Sequence, residues 1–444
     1  MKYKIFIKCS FILIWTFTTL LFTFCSKDSS SEVKDTFNPE HDRYIVFFLT
    51  NVAIEEAANS NSGRDANINY NFFSELPFLF GKINKESKNK YAIGLIGPMP
   101  LTWSVDEMRN QINIAFDAAE KYDVPIYFQL DDCNNYTTAF GDGANPKYYE
   151  NPDWVEWASF PKEGELWGGQ SNGRPPYFWL NWGAWMHAEA FPCFQSQGFR
   201  DYMVSRLKEG VLDPLNKRYE KLKAEGREYL FAGIAVGWET HIPDYEFMNI
   251  DLKNLPVDFR NGDKMEAWEV AKLGYNSLNI LGYKEYNLEA LYKVIHDYSE
   301  LLSKTTFDSG IPRHKIFTHI IGLKSSNPSL KTTFAPPIWT AVNQYSIPGF
   351  TLSPYSCPYN LNVLKSEISK ADNSQKYFAL AEGYSKGVDG SLTQAENYFA
   401  SMFDNGSLIV SAFGWGREAP SSVLAISHSQ NNPFVIAAKN WIKK

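Results

Sequence analysis

The chain has 444 residues, of which 44% are hydrophobic and 16% aromatic, and carries a formal net charge of −7. That length can bury the core of one large domain, and an acidic balance without a basic block speaks against a nucleic-acid partner. Beyond residue 25 the cysteines are Cys133, Cys193 and Cys357. Their odd count and irregular spacing exclude a disulfide framework, and with no CxxC, HExxH or other zinc spacing no metal or cofactor is expected.

The first 25 residues read as a targeting segment. Lys2, Lys4 and Lys8 form a positive start, and the apolar run Phe11 to Phe24 is too short to span a bilayer comfortably. The run ends at Cys25 and a polar Ser26-Lys27-Asp28 sequence, which resembles a bacterial lipoprotein signal, although Phe24 stands where such signals carry a small residue. The resemblance implies lipidation of Cys25, a membrane contact through that anchor, and an exported protein held at the outer membrane. Residues 26–42 are polar enough for a tether.

From Arg43 the pattern becomes regular. Buried-type strands are expected at 43–51, 91–99, 124–132, from 231, and at 314–322, 348–356, 376–383 and 407–416. Helices are expected at 71–80, 105–122, 199–226, 266–278, 288–303, 392–403 and 433–443. Ser104 and Glu107 have the spacing of a capping box. A long insertion runs from Cys133 to about Gln197. Eight apolar strands separated by helical connections predict an α/β fold, a (β/α)8 TIM barrel with long loops after strands three and four, and residues 43–444 as one catalytic domain. The rival, a doubly wound sheet, would carry a glycine-rich phosphate loop after an early strand, and no GxGxxG occurs there.

Strand four, FAGIAVGWETHI from Phe231, ends at Gly237-Trp238-Glu239, and strand seven, KYFALAEG from Lys376, ends at Glu382. The C-terminal tips of barrel strands are where such folds place their chemistry. A carboxyl pair is what glycosidic-bond cleavage uses. In these two residues the chain resembles clan A of the glycoside hydrolases, barrels with an acid/base glutamate after strand four and a nucleophilic glutamate after strand seven. The resemblance implies Glu239 as acid/base, Glu382 as nucleophile and a retaining mechanism on β-linked sugars. One departure is Trp238, itself a candidate substrate-binding residue, since clan members usually hold Asn directly before the acid/base. It keeps open an inverting arrangement, as in β-amylase-like barrels, whose glutamates stand further apart.

Other strand tips supply candidate substrate-binding residues. Trp415 on strand eight resembles the clan's aromatic floor, and Tyr355 near strand six, or Tyr345, resembles its tyrosine beside the nucleophile. His319 and His241 suit sugar hydroxyls or tuning of the acid. Asp131 and Asp132 suit hydroxyls as well, and less readily calcium. The insertion holds six of the 13 tryptophans, Trp154, Trp157, Trp167, Trp179, Trp182 and Trp185. Such rings suit the apolar faces of sugars, and Trp179, Asn181 and Trp182 are the positions expected to meet substrate, the remaining rings forming the loop's own core. The residues predict a glycoside hydrolase for a β-linked glucan, galactan or mannan. The competing reading is a surface lipoprotein that binds carbohydrate without cutting it.

Overall fold

A computed structural model of the chain describes residues 40–49, 70–133, 148–160, 178–181, 185–188, 190–248, 272–325, 327–352, 357–383, 390–415 and 430–444. The predicted signal, Cys25, most of the tether, Trp167, Trp182 and Tyr355 lie outside the described residues.

Eight strand positions are found where the apolar runs place them: β1 Arg43–Leu49, β2 Asn89–Ile96, β3 Ile126–Gln129, β4 Phe231–Ala235, β5 in two pieces, Ile316–Phe317 and Ile320–Ile321, then β6 Gly349–Leu352, β7 Phe378–Gly383 and β8 Ser407–Trp415. All neighbours are parallel, in the order β5-β4-β3-β2-β1-β8-β7-β6-β5. The two pieces of β5 close the sheet. The first pairs with β4 (Ile234 opposite Ile316), the second with β6 (Ile320 opposite Phe350), and a bridge from Phe317 to Ile347 keeps the same register. The fold is therefore an α/β TIM-type barrel.

Strand alternation sorts the core into two layers. Tyr44, Val46 and Phe48 of β1 join Ala92, Tyr127, Ala235, Phe317, Ala379 and Ile409 in one buried cluster that fills the barrel. Ile45 and Phe47 join Ile93, Phe128, Ile234, Phe350 and Leu380 in a second cluster that also takes in the helices. The helices are α1 Tyr70–Phe80, α2 Val105–Tyr122, α3 (Gln197–Leu207 and Asp213–Ala224 joined by a five-residue π turn), α4 Leu288–Asp308, α5 Cys357–Ala371, α6 Leu392–Phe403 and α7 Pro433–Ile442. The capping box forms as expected: Ser104 N–H donates to Glu107 Oε2 at 2.6 Å and Glu107 N–H to Ser104 Oγ at 3.3 Å.

One expectation needs correction, and two elements were not anticipated. The helix expected at 266–278 occurs within the described residues only as a short turn, Tyr275–Ile280. Its N-terminus is set by the buried Glu156, which accepts the N–H groups of Asn276 and Ser277 and the Ser277 hydroxyl. Helix α5 went unpredicted, because its apolar residues are sparse and its start overlaps the proline-bearing stretch after β6. In the insertion, Phe178–Asn181 and Trp185–Ala188 pair as an antiparallel hairpin, with Trp179 opposite His187 and Asn181 opposite Trp185.

Candidate active site

The site is built on the turn that follows β4. Glu239 is one of two described residues other than glycine with a positive φ, at 52°. Such a conformation costs a non-glycine residue about 1–3 kcal/mol and persists only when its surroundings hold it. Asp132, just past β3, does the holding. Its Oδ1 accepts the Trp238 backbone N–H at 2.9 Å and its Oδ2 accepts the Thr240 hydroxyl at 2.9 Å. The residue before Trp238 must be small: a Cβ on Gly237 would stand 2.3 Å from Thr240 Oγ1. Thr240 N–H donates to the His319 carbonyl at 2.8 Å, tying the same turn to the break in β5. His241 Nδ1 lies 2.6 Å from the Glu239 carbonyl, so that nitrogen carries the donated hydrogen.

The turn aims Glu239 at the tip of β7. One carboxylate oxygen of Glu239, one of Glu382 and a ring nitrogen of His319 all lie within 4.8 Å of one another, and all three residues are buried. The irregularity in β7 between Leu380 and Glu382 re-aims the second carboxylate, a frequent use of a bulge beside a site. Trp238 Nε1 donates to Glu382 Oε2 at 2.8 Å. Thr351 of β6, opposite Glu382 in register, places its Oγ1 2.5 Å from Glu239 Oε1, and the same hydroxyl lies 2.7 Å from His319 Nε2.

Electrostatics separate the groups. Burial, and secondarily the charge of Glu382, push Glu239 well above the usual carboxylate range, against an opposing hydrogen bond from Thr351. Of the two glutamates, Glu239 is thus shifted toward its protonated form. Burial raises Asp132 to about 6, opposed by the bonds from Trp238 and Thr240. Burial lowers His319 to about 3 and His241 to about 4, so both rings are neutral.

Glu239 and Glu382, expected as a pair, do come together, and Trp238, His241, His319 and Asp132 surround them. Their contacts are more specific than sequence indicated. Both Asp132 oxygens brace the turn, His241 holds the Glu239 carbonyl, and Trp238 bonds the opposite glutamate. Asp131 Oδ1 accepts the Cys133 N–H at 3.4 Å, and Cys133 Sγ lies 3.9 Å from the Trp238 carbonyl. Asp131, Asp132 and Cys133 bring their ligating atoms within 4.8 Å of one another. The engagement of both Asp132 oxygens by the protein makes this group a poor cation site, and one oxygen of each glutamate above is likewise already bonded. Tyr345 is set apart: it precedes β6, at the opposite end of the barrel, with its ring near Phe307. Trp179 and Asn181 are placed only by the hairpin register and Trp415 only by its pairing with Leu49. Trp154 and Trp157 pack as partly buried rings against the core. Cys133 and Cys193 are buried free thiols.

Two residues escaped the sequence reading, Thr351 at the site and Gln129 at the tip of β3. Thr351 lies in GFTL, where alternation between Phe350 and Leu352 turns it inward. Gln129 ends β3 buried, with neither amide atom bonded within the protein. Alternation from Tyr127 turns it inward as well, and a polar residue on the inner face of an apolar strand was the available signal.

No family model and no curated protein matches the sequence. Among solved structures, the chain is similar to the PgaB (BpsB) glycoside hydrolase domain from Bordetella bronchiseptica, at 9% identity and a TM-score of 0.39 over 84% of this chain and 93% of that one. It is also similar to the catalytic domain of β-amylase from Paenibacillus polymyxa, at 11% identity and a TM-score of 0.40 with the same coverage.

Proposed function

We propose that the protein is a glycoside hydrolase that cleaves β-linked poly- or oligosaccharides with retention of configuration. The observation that carries the reading is the spacing of Glu239 and Glu382, whose oxygens approach within 4.8 Å at two strand tips, while burial and the charge of Glu382 raise the pKa of Glu239. Retaining enzymes hold their carboxyl groups about 5–5.5 Å apart, whereas inverting enzymes leave about 6.5–9.5 Å for a water. A structural ion pair would need a cation, and the two groups are both acids.

In this reading Glu382 attacks the anomeric carbon and forms a glycosyl ester, while Glu239 gives its proton to the departing glycosidic oxygen. Glu239, now a carboxylate, takes a proton from a water whose oxygen attacks the same carbon, and Glu382 leaves as the free carboxylate. Trp238 gives Glu382 an N–H donor for the charge it carries before and after the ester. Export and anchoring through Cys25 belong to the same proposal and rest on the sequence features of residues 1–32. Loss of lipid labelling in Cys25→Ala tests that part.

The test of the activity is proton NMR of residues 26–444 digesting a panel of β-glucans, β-galactans and β-mannans. A β-anomer as first product supports retention with these two roles. An α-anomer makes Glu382 a general base and overturns the mechanism. Glycan binding without any product moves the protein to the carbohydrate-capture reading.

A further inference from the structure

Gln129 closes β3 with its backbone held and its side chain open. Its carbonyl accepts the Gly97 N–H at 2.7 Å, and the following residue, Leu130, donates its N–H to the Ala235 carbonyl at 3.0 Å. The side chain is fully buried. Among the described residues it is the only side-chain amide whose oxygen and nitrogen are both buried without a hydrogen-bond partner. An amide offers an acceptor and two donors, and burying them unpaired destabilises a fold. Folded proteins pair nearly all such groups, so two open atoms on one side chain need a partner that the protein does not supply.

The register sets this amide beneath the carboxyl pair. Alternation from Tyr127, a member of the cluster that fills the barrel, turns Gln129 into the interior. It lies opposite Ala235, just before the Gly237-Trp238-Glu239 turn, and Asp132, a little further along its own chain, bonds the Trp238 N–H and the Thr240 hydroxyl. Its neighbours in register, Ala235 on β4 and Ile96 on β2, have no side-chain group that could bond an amide. Ile96 packs against the cluster inside the barrel and is partly exposed, so the inner face at this level is within reach of the mouth. We propose that Gln129 binds hydroxyl groups of the sugar attacked by Glu382, and that this sugar is a neutral one with adjacent free hydroxyls. The amide oxygen and nitrogen stand side by side, so one accepts from and the other donates to hydroxyls on neighbouring ring carbons. Glu239, Glu382, Asp131 and Asp132 gather at this end of the barrel, which disfavours a ligand carrying a carboxylate or sulfate.

This assignment rests on the glycosidase reading of the carboxyl pair and gives it a substrate class. The backbone bonds on either side of Gln129 fix its strand before any sugar arrives, so little ordering is left to the binding step. The unpaired amide weakens the free protein, and the ligand relieves that cost. Tyr127, on the same face of β3, also has an unbonded hydroxyl. Its ring packs on Phe48 and Phe317 in the barrel core, one layer further from the carboxyl pair, which makes it the control.

Calorimetry on the whole protein carrying Glu382→Gln, so that no probe is cut, tests the site with β-linked tetrasaccharides of glucose, galactose, mannose and glucuronate. At least one neutral tetrasaccharide should bind, and more tightly than the glucuronate. Gln129→Met and Gln129→Leu remove the amide in two shapes. Both should weaken that binding by about tenfold to a hundredfold, the effect of leaving sugar hydroxyls unpaired, and should melt at or above the parent temperature. Tyr127→Phe should bind as the parent does. Among monodeoxy versions of the bound tetrasaccharide, at least one should bind with and without Gln129→Met alike, because hydroxyl and amide are then lost as a pair. An equal loss for every version, or an equal loss in Tyr127→Phe, would mean that Gln129 acts through the fold, and the proposal is wrong. Unchanged affinity in both Gln129 variants overturns it as well, and a lower melting temperature would then mark an amide paired by a buried water. So does the absence of binding by every neutral probe, or tighter binding of the glucuronate. Binding that depends on Gln129, without turnover by the parent, would keep the site and sink the proposed function. Turnover with binding indifferent to Gln129 would do the reverse.

Discussion

The indole N–H of Trp238 donates to Glu382 Oε2 at 2.8 Å, so the residue preceding one strand-tip glutamate holds the other. The side chain before Glu239 thus spans the pair. The indole is a donor only, and an N–H on a carboxylate favours its charged form. Trp238→Phe keeps the ring and removes the donor. A hydrogen bond to a charged group is worth about 1.5–3 kcal/mol, so kcat should fall roughly tenfold to a hundredfold with KM little changed. Steady-state kinetics check this, and a loss confined to KM would return Trp238 to substrate binding.

The two glutamates should separate by leaving group and by pH. Glu382→Gln is expected to abolish turnover with glycan binding intact. Glu239→Gln should cost about 10²–10⁴ on substrates with poor leaving groups and far less on activated aryl glycosides, which need no proton. In the proposed mechanism Glu239 acts while protonated, and burial with the charge of Glu382 raises its pKa well above the usual value, so activity should be lost as pH rises through that raised value. The alkaline limb of kcat/KM should therefore lie above the ordinary carboxylate range. A limb near pH 4.5 would contradict the assignment.

Asp132 should behave as a brace. Asp132→Asn keeps an acceptor for the Trp238 N–H, but its amide nitrogen cannot accept from Thr240. The Glu239 backbone, at φ 52°, then loses one of its restraints. A fall in kcat of tenfold or more, matched by Thr240→Val, is the expected result, with a lower melting temperature in both. Unchanged kcat in both variants would detach the turn from catalysis.

Glu156 gives a pH-dependent stability outside the site. Burial raises it to about 7, against the hydrogen bonds from Ser277 and Asn276. A carboxyl with a raised folded pKa binds more protons folded than unfolded between about pH 4 and 7, so stability falls as pH rises through that window. Its contribution amounts to on the order of 3 kcal/mol. Urea unfolding at several pH values should show this decline in the parent protein and a flatter profile in Glu156→Gln. Equal slopes would place the dependence elsewhere.

Much of the barrel was legible because its strands are buried on both faces. Runs such as RYIVFFL and FALAEG read as strands without any partner in view, and their β/α spacing leads to a parallel closed sheet. Glu239 and Glu382 were legible for the same reason, since an acid at the end of an apolar strand has few other uses. Asp132 and His241 were also visible, but as generic polar groups at strand tips.

What one chain of letters determined was therefore the fold class, the eight strand positions, the capping box at Ser104 and the two glutamates, all of which follow from local periodicity and from charge set against an apolar run. The tertiary structure decided the relationships: Asp132 reaching 106 residues along to the β4 turn, Trp238 reaching 144 residues to Glu382, and Thr351 standing between His319 and Glu239. Such contacts depend on the register of neighbouring strands and on a bulge in β7, and closing the barrel is what brings residues on separate strands to one mouth. The left-handed turn at Glu239 is of the same kind. Nothing in Gly-Trp-Glu-Thr demands it, and the carboxylate of Asp132 on the next strand holds it there.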